Sequence, residues 1–265
     1  MTHSQIAQLN SRAVIAVTGP DAKSFLNGLL TQEIETLAAG ELRFTGLLTP
    51  QGRLLYDLFV AGTDEGVLLD VAAQHRDAIL TRLTMYRLRA KVEIAGSALG
   101  VFAAWPATDG YIDPRLPALG ARLYAAEQAT TANEDDYDAR RLALGVPGPT
   151  DWGSDKTYPI EADFDLLNGI DFKKGCFVGQ ETTSRMKRRG TIKNRMLAIT
   201  FDGPPPAFGA EVLAGELRAG EVLSGRDGRA MALLRLDRIE GADLTVEGRT
   251  VRVERPAWMP VQPPA

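Results

Sequence analysis

Lys173-Lys174-Gly175-Cys176-Phe177-Val178-Gly179-Gln180-Glu181 holds the only cysteine of the chain, with two lysines ahead of it and two glycines around it. The polar run that follows, Gln180-Glu181-Thr182-Thr183-Ser184-Arg185-Met186-Lys187-Arg188-Arg189, reads as a helix. Gly179 is an acceptable N-cap, Glu181 puts an acid in the first turn, three cations fill the last turn, and Gly190 stands just past the end. Cys176 is therefore expected just ahead of a helix N-terminus and beside Lys173 and Lys174, a setting that lowers a thiol's pKa. Two readings of Cys176 stand side by side. One is a reactive or metal-seeking thiolate on a glycine-shaped loop; the other is a small buried hydrophobe, the commoner role of a lone cysteine.

Toward the N-terminus, strands and helices alternate. Residues 12–17 read as a strand, and Thr18-Gly19-Pro20-Asp21 opens a helix with Pro20 suited to its first position and Phe25, Leu26, Leu29 and Leu30 on its apolar face. A hairpin follows, residues 42–48 and 54–60 around Thr49-Pro50-Gln51-Gly52. A strand at 67–71, a helix at 74–88 and strands at 92–94 and 99–105 complete a β-α-β-β order that occurs twice. That order predicts an α+β fold of split, ferredoxin-like units, residues 46–105 forming the second within an α+β region of residues 1–193. Residues 105–133 are rich in Ala, Pro and Gly, with a strand at 122–125, and a short helix at 135–144 ends at Gly145-Val146-Pro147-Gly148. Beyond the cysteine loop the pattern changes to short strands separated by Gly and Asp turns, with no convincing helix. This predicts a small β-barrel over residues 194–256, then an extended tail over 257–265.

With 265 residues the chain can build two or three cores, and a net charge of −4 gives no reason to expect nucleic acid or an anionic membrane as the main partner. One cysteine excludes an internal disulfide. The opening Met1-Thr2-His3-Ser4-Gln5 lacks the basic and apolar regions of a signal peptide, and no apolar run is long enough to span a membrane, so a cytoplasmic protein is expected. His3 and His75 form no metal cluster in sequence, and only His75 offers a histidine partner for Cys176. Neither a Walker loop nor a dinucleotide glycine fingerprint occurs.

Lys174-Gly175-Cys176-Phe177-Val178-Gly179-Gln180-Glu181 resembles the K-G-C-[FY]-x-G-Q-E signature of the YgfZ family, folate-binding-fold proteins related to the aminomethyltransferase (T-protein) of the glycine cleavage system. The likeness extends to 17–22, 25–33, 48–57, 158–163 and 167–172. It implies a T-protein-like three-part ring, two α+β units plus the barrel. It also implies a folate-linked factor that assembles or delivers [4Fe–4S] clusters to client iron–sulfur enzymes together with an A-type iron–sulfur carrier protein. In that reading Cys176 is the working residue, flanked by Lys174, Gly175, Gly179, Gln180 and Glu181. A cluster takes about four protein ligands, so Cys176 would be one ligand of a transient cluster shared with a partner. Tetrahydrofolate needs an acid, an aromatic or apolar slot and cations; Tyr56, Asp57, Arg140, Glu161 and Arg185 are the candidate suppliers. Asp57 is otherwise a solvated strand residue, and Glu161 either binds a ligand or caps the backbone. Two positions depart from the T-protein pattern. Tyr56-Asp57 stands where those enzymes carry two adjacent acids, and Ala143, within Arg141-Leu142-Ala143-Leu144-Gly145, stands where they carry a glutamate. The alternatives are a tetrahydrofolate-dependent aminomethyl- or methyltransferase and a folate-binding module without cluster chemistry.

Overall fold

The computed structural model describes residues 4–190 and 192–260. The hairpin around Pro50 joins β3 (Leu42–Leu48) to β4 (Leu54–Gly62), with Leu47 opposite Tyr56 and Gly46 opposite Asp57. Gly52 closes the turn at φ 84°, a left-handed conformation that glycine adopts without steric cost. β5 (Gly66–Ala72), β2 (Arg12–Thr18) and β6 (Glu93–Gly96) extend the pair into a five-stranded antiparallel sheet, β3-β4-β5-β2-β6. A second sheet runs β1-β7-β9-β8, from β1 (Gln5–Gln8), β7 (Gly100–Trp105), β9 (Ala121–Ala125) and β8 (Tyr111–Ile112). The division at residues 46–105 therefore does not hold. β2 sits between β5 and β6, while β7 leaves that sheet to pair with β1.

Strand alternation explains the layers. Ile15, Val17, Leu58, Val60, Leu69 and Val71 face α1 (Ala22–Asn27) and α2 (Arg76–Arg87), whose Leu26, Ile79 and Leu83 close that core. The opposite face sends Val14 and Leu68 into a core with Val101, Ala103 and Trp105 of the second sheet. α3 (Glu134–Ala143) starts on a capping box of Asn133 and Asp136, and the one-turn α4 (Pro149–Trp152) follows. After α5 (Gln180–Arg189) comes a closed barrel, β10-β13-β12-β11-β14-β15. Its strands are β10 (Asn194–Thr200), β11 (Glu211–Ala214), β12 (Leu217–Arg226), β13 (Arg229–Arg235), β14 (Leu244–Val246) and β15 (Arg249–Glu254), with the one-turn α6 (Leu236–Ile239) between β13 and β14. Phe44, Phe59, Trp152, Ile160, Phe164, Phe177, Met196 and Met231 form one cluster that locks sheet, linker, cysteine loop and barrel together. The tail does not run free over its described part: Trp258 Nε1 donates to Leu144 O at 2.8 Å and Met259 packs on the barrel. The remainder of that tail, 261–265, lies outside the described residues.

The sheets also meet through charge. Arg12 Nε reaches Asp70 Oδ1 at 2.6 Å and Arg12 Nη1 reaches Asp57 Oδ2 at 2.7 Å. Arg122 of β9 binds Asp70 Oδ2 at 2.6 Å, and its guanidinium lies 3.6 Å from the Phe59 ring centre. Arg115 pairs with Asp113 beside it at 2.8 Å. Asp57 is thus buried and paired instead of being a solvated strand residue. Removing one partner of such a buried group strands the others. Asp70→Ala is expected to lower unfolding free energy by about 3–5 kcal/mol, read from urea denaturation.

Candidate functional site

The cysteine loop is pinned on both sides of Cys176. Lys173 N donates to Asp171 Oδ1 at 2.7 Å, making the turn that enters the loop. Lys174 is buried, and its ammonium donates to the carbonyls of Asn27, Leu30 and Gln32 at 2.7, 2.8 and 2.9 Å. Burial draws its pKa down to about 8. These three bonds make Lys174 a clamp on the exit of α1. Phe177 is buried in the central cluster. Gly179 takes φ 81° as the N-cap of α5, and a Cβ there would come within 2.6 Å of Thr49 O, so only glycine lets the loop rest on the hairpin turn.

Between these anchors Gly175 and Cys176 are exposed, and a Cβ on Gly175 would meet nothing within 4 Å. Cys176 is a free surface thiol on a fixed loop, which sets aside the buried-hydrophobe reading. Gln180 Nε2 lies 3.4 Å from Gly175 O, and Glu181 stands exposed in the first turn of α5. The helix ends at Gly190, φ 69°. His75 lies against Tyr56, ring centres 5.1 Å apart; His3 lies outside the described residues.

The five candidate folate residues do not converge. Tyr56 packs against the helical core and His75. Asp57 gives its carboxylate to Arg12 in the buried charge cluster, where no pterin could take it. Arg140 donates through Nε and Nη2 to Ala118 O at 2.9 and 2.5 Å, on an open hollow of about 500 Å³ that it shares with Ala143, Gln5 and Trp105. Only Glu161 and Arg185 meet, in a cavity of about 280 Å³ along α5 with Tyr158, Met186, Ile192 and Lys193. Glu161 accepts from Tyr158 N at 3.1 Å and from Asn194 Nδ2 at 3.0 Å, so it caps the backbone while lining the cavity. At the T-protein-like position the residues present do not fit a folate: the acid is paired and its neighbour is a tyrosine.

Tyr158, Lys193 and Asn194 escaped the reading of the sequence, as did the cluster beneath them. Arg195 Nη1 binds Asp163 Oδ1 at 2.7 Å and Asp165 Oδ1 at 2.8 Å, so two carboxylates share one guanidinium. Asp163 Oδ2 is buried without a partner. Burial, opposed by Arg195, pushes the Asp163 pKa from 3.8 up to about 8. The folded protein then binds this proton more tightly than the unfolded chain, and stability falls as pH rises through that window. Asp163→Asn keeps the left-handed backbone at φ 61° and should flatten the decline between about pH 4 and 8, as read from thermal melts across pH.

Among the described residues no group of three His, Cys, Asp or Glu side chains is placed to hold a metal ion, and no helix is long and apolar enough to cross a membrane. Residues 2–104 match the GCVT N-terminal domain, and residues 193–261 match the CAF17 C-terminal beta-barrel domain. The mouse mitochondrial iron–sulfur cluster assembly factor IBA57 is 31% identical over 96% of this chain and 85% of its own length. Its human counterpart is 30% identical over 88% and 78%. The Neurospora crassa homologue is 31% identical over 82% of this chain, which spans 58% of that protein's length. The glycine cleavage aminomethyltransferase T of Bartonella henselae superposes with a TM-score of 0.78 over 97% of this chain and 86% of its own, at 18% identity, a likeness of fold alone. The expectation of a cytoplasmic protein is corrected by these relatives, which are named as mitochondrial proteins.

Proposed function

The chain belongs to the IBA57 family of iron–sulfur cluster assembly factors, and from that premise we propose that it assists cluster assembly through the exposed thiol of Cys176, with the cluster as cargo. The observation that carries this reading is the contrast around Cys176. Lys174, Phe177 and Gly179 are each locked in place, while Gly175 and Cys176 are left open to a second molecule.

A thiol that joins a cluster loses its proton, and a [2Fe–2S] or [4Fe–4S] cluster takes about four protein ligands. This chain supplies one cysteine, so the remaining ligands come from an A-type carrier protein and the cluster is shared between the two. The N-terminus of α5 stands directly after the loop and its partial positive charge complements an anionic cluster. Delivery to client iron–sulfur enzymes follows when the carrier's ligands are exchanged.

The isolated protein is expected to purify colourless, and a [2Fe–2S] absorption and circular dichroism spectrum to appear only with the carrier present. Cys176→Ser should abolish that spectrum and leave the melting temperature nearly unchanged, because the side chain is exposed. A serine variant that holds the same cluster with the same carrier would exclude the thiol. The transferase alternative is disfavoured by Ala143, which can neither accept a proton nor bind a pterin donor, and by the paired Asp57. A reconstituted glycine cleavage assay should show no aminomethyl transfer above background, and T-protein-like turnover would reverse the choice.

A further inference from the structure

The cavity of about 280 Å³ along α5 lies where helix, linker and barrel meet. Thr182, Arg185, Met186 and Arg189 follow the i, i+3, i+4, i+7 spacing that puts them on one face of α5. The rest of the lining comes from Tyr158 and Glu161 of the linker and from residues 192–194, where the chain runs into β10. Met186 and Ile192 also pack on the central aromatic cluster, so the apolar part of the lining is backed by fixed side chains. The volume is close to the lower bound of small-molecule pockets, about 300 Å³. Neither Asp57 nor Ala143 lines it, so the cavity is distinct from the T-protein-like position.

Charge in the lining has one effective sign. Residues 182–200 carry six cations and no acid. Arg185 and Lys193 reach the cavity from two different elements, and neither is in an ion pair among the described residues. Arg53, stacked on Tyr158 with its guanidinium 4.7 Å from the ring centre, adds a further cation behind that wall. The one acid of the lining, Glu161, has both oxygens engaged, Oε2 by Tyr158 N and Oε1 by Asn194 Nδ2. The next acids along the chain are also accounted for. Asp165 is held by both terminal nitrogens of Arg195 at 2.8 and 2.9 Å, and Lys187 Nζ lies 3.9 Å from it. Asp163, whose pKa burial pushes up to about 8, is largely protonated at neutral pH. Positive charge left over beside an apolar lining selects an anion with an apolar body. Arginine's fork takes a carboxylate or phosphate through two bonds, and lysine adds a point charge.

We propose that this cavity binds a small organic anion, a carboxylate or a phosphate ester on an apolar or aromatic body, held between Arg185 of α5 and Lys193 beside β10. Bound there, the ligand ties α5 to the approach of the barrel and stabilises the folded chain. The site does not depend on the thiol of Cys176.

Phenylacetate and phenyl phosphate, titrated calorimetrically into the full-length protein, serve as probes. Benzylamine is the control cation of like shape, and inorganic phosphate the anion without a body. At least one aromatic anion should bind saturably and raise the melting temperature, and the tighter of the two identifies the head group. Benzylamine should not bind, and phosphate alone should bind about tenfold more weakly than phenyl phosphate or not at all. Arg185→Ala and Lys193→Ala should each weaken the tighter probe about tenfold, the loss of one charged donor. Arg188→Ala, on the same helix but outside the lining, and Cys176→Ser should bind as wild type does. No saturable binding of either aromatic anion would overturn the site and leave the Cys176 reading standing. An equal loss in Arg188→Ala and Arg185→Ala would reduce the binding to general attraction by a basic helix. Phosphate binding as tightly as phenyl phosphate would remove the apolar lining from it, benzylamine binding as tightly would remove the selection by charge, and loss in Cys176→Ser would move the probe to the cysteine loop. Each of these four results overturns the proposal.

Discussion

Asp70 lies in the middle of β5 with no exposed surface, and two guanidiniums converge on its carboxylate from strands on either side of the sheet interface, Arg12 of β2 and Arg122 of β9. Three arginines and three aspartates balance in this region, all but dry. Burial works against the charge on Arg12, and the carboxylates of Asp57 and Asp70 more than offset it, so its pKa is raised. In such surroundings a charge is tolerated only while its partners stay in place, so the network behaves as a unit. The packing of the second sheet on the first depends on it, and the lie of α3 depends on that packing through Trp105 and Tyr137. The same network consumes Asp57. Asp57 is here a structural counter-ion, beside a tyrosine at 56.

A second constraint governs the cysteine loop, and it works by subtraction. Lys174 ties the loop to the α1 exit through the carbonyl of Asn27 at the helix end and those of Leu30 and Gln32 in the segment that follows. Phe177 supplies apolar anchoring two positions past Gly175, and Gly179 lets α5 begin against the hairpin turn. Freezing the residues on both sides fixes where the thiol can be, which matters more for a shared ligand than for a packing residue. A cluster ligand must be presented in one geometry to a partner that brings the others.

Much of the architecture was legible in local pattern. The apolar runs in 12–17 and 67–71 marked β2 and β5, the Pro-Gly turn marked the β3–β4 hairpin, and Gly179 and Gly190 bracketed α5 to the residue. β1 escaped because Gln5-Ile6-Ala7-Gln8 has no apolar run of its own and becomes a strand only by pairing with β7. α4 escaped because it is a single turn, started by Pro149 and held by Asp151. The polar residues were harder. Asp57 finds Arg12 45 positions away, and Lys174 finds the Leu30 carbonyl 144 positions away, so no window of sequence shows that these charges are spoken for. One signal was available. Asp70 interrupts the run Val67-Leu68-Leu69-Asp70-Val71, and an acid inside a doubly buried strand requires a cation facing it.

Fold and chemistry separate cleanly here. A TM-score of 0.78 to an aminomethyltransferase at 18% identity says that the same three packed parts can be built from a very different sequence, and it says nothing of the reaction. What decides between the two chemistries is a handful of side chains. Where a transferase needs free acids near its substrate, this chain has an alanine on an open surface at 143 and a carboxylate locked in an ion pair at 57. It does have a lone thiol held rigidly in solvent at the mouth of a ten-residue helix. A thiol so placed, in a chain with no second cysteine, can complete a cluster only in company. The function proposed for Cys176 therefore depends on an encounter between surfaces, for which the pinned loop holds one thiol still.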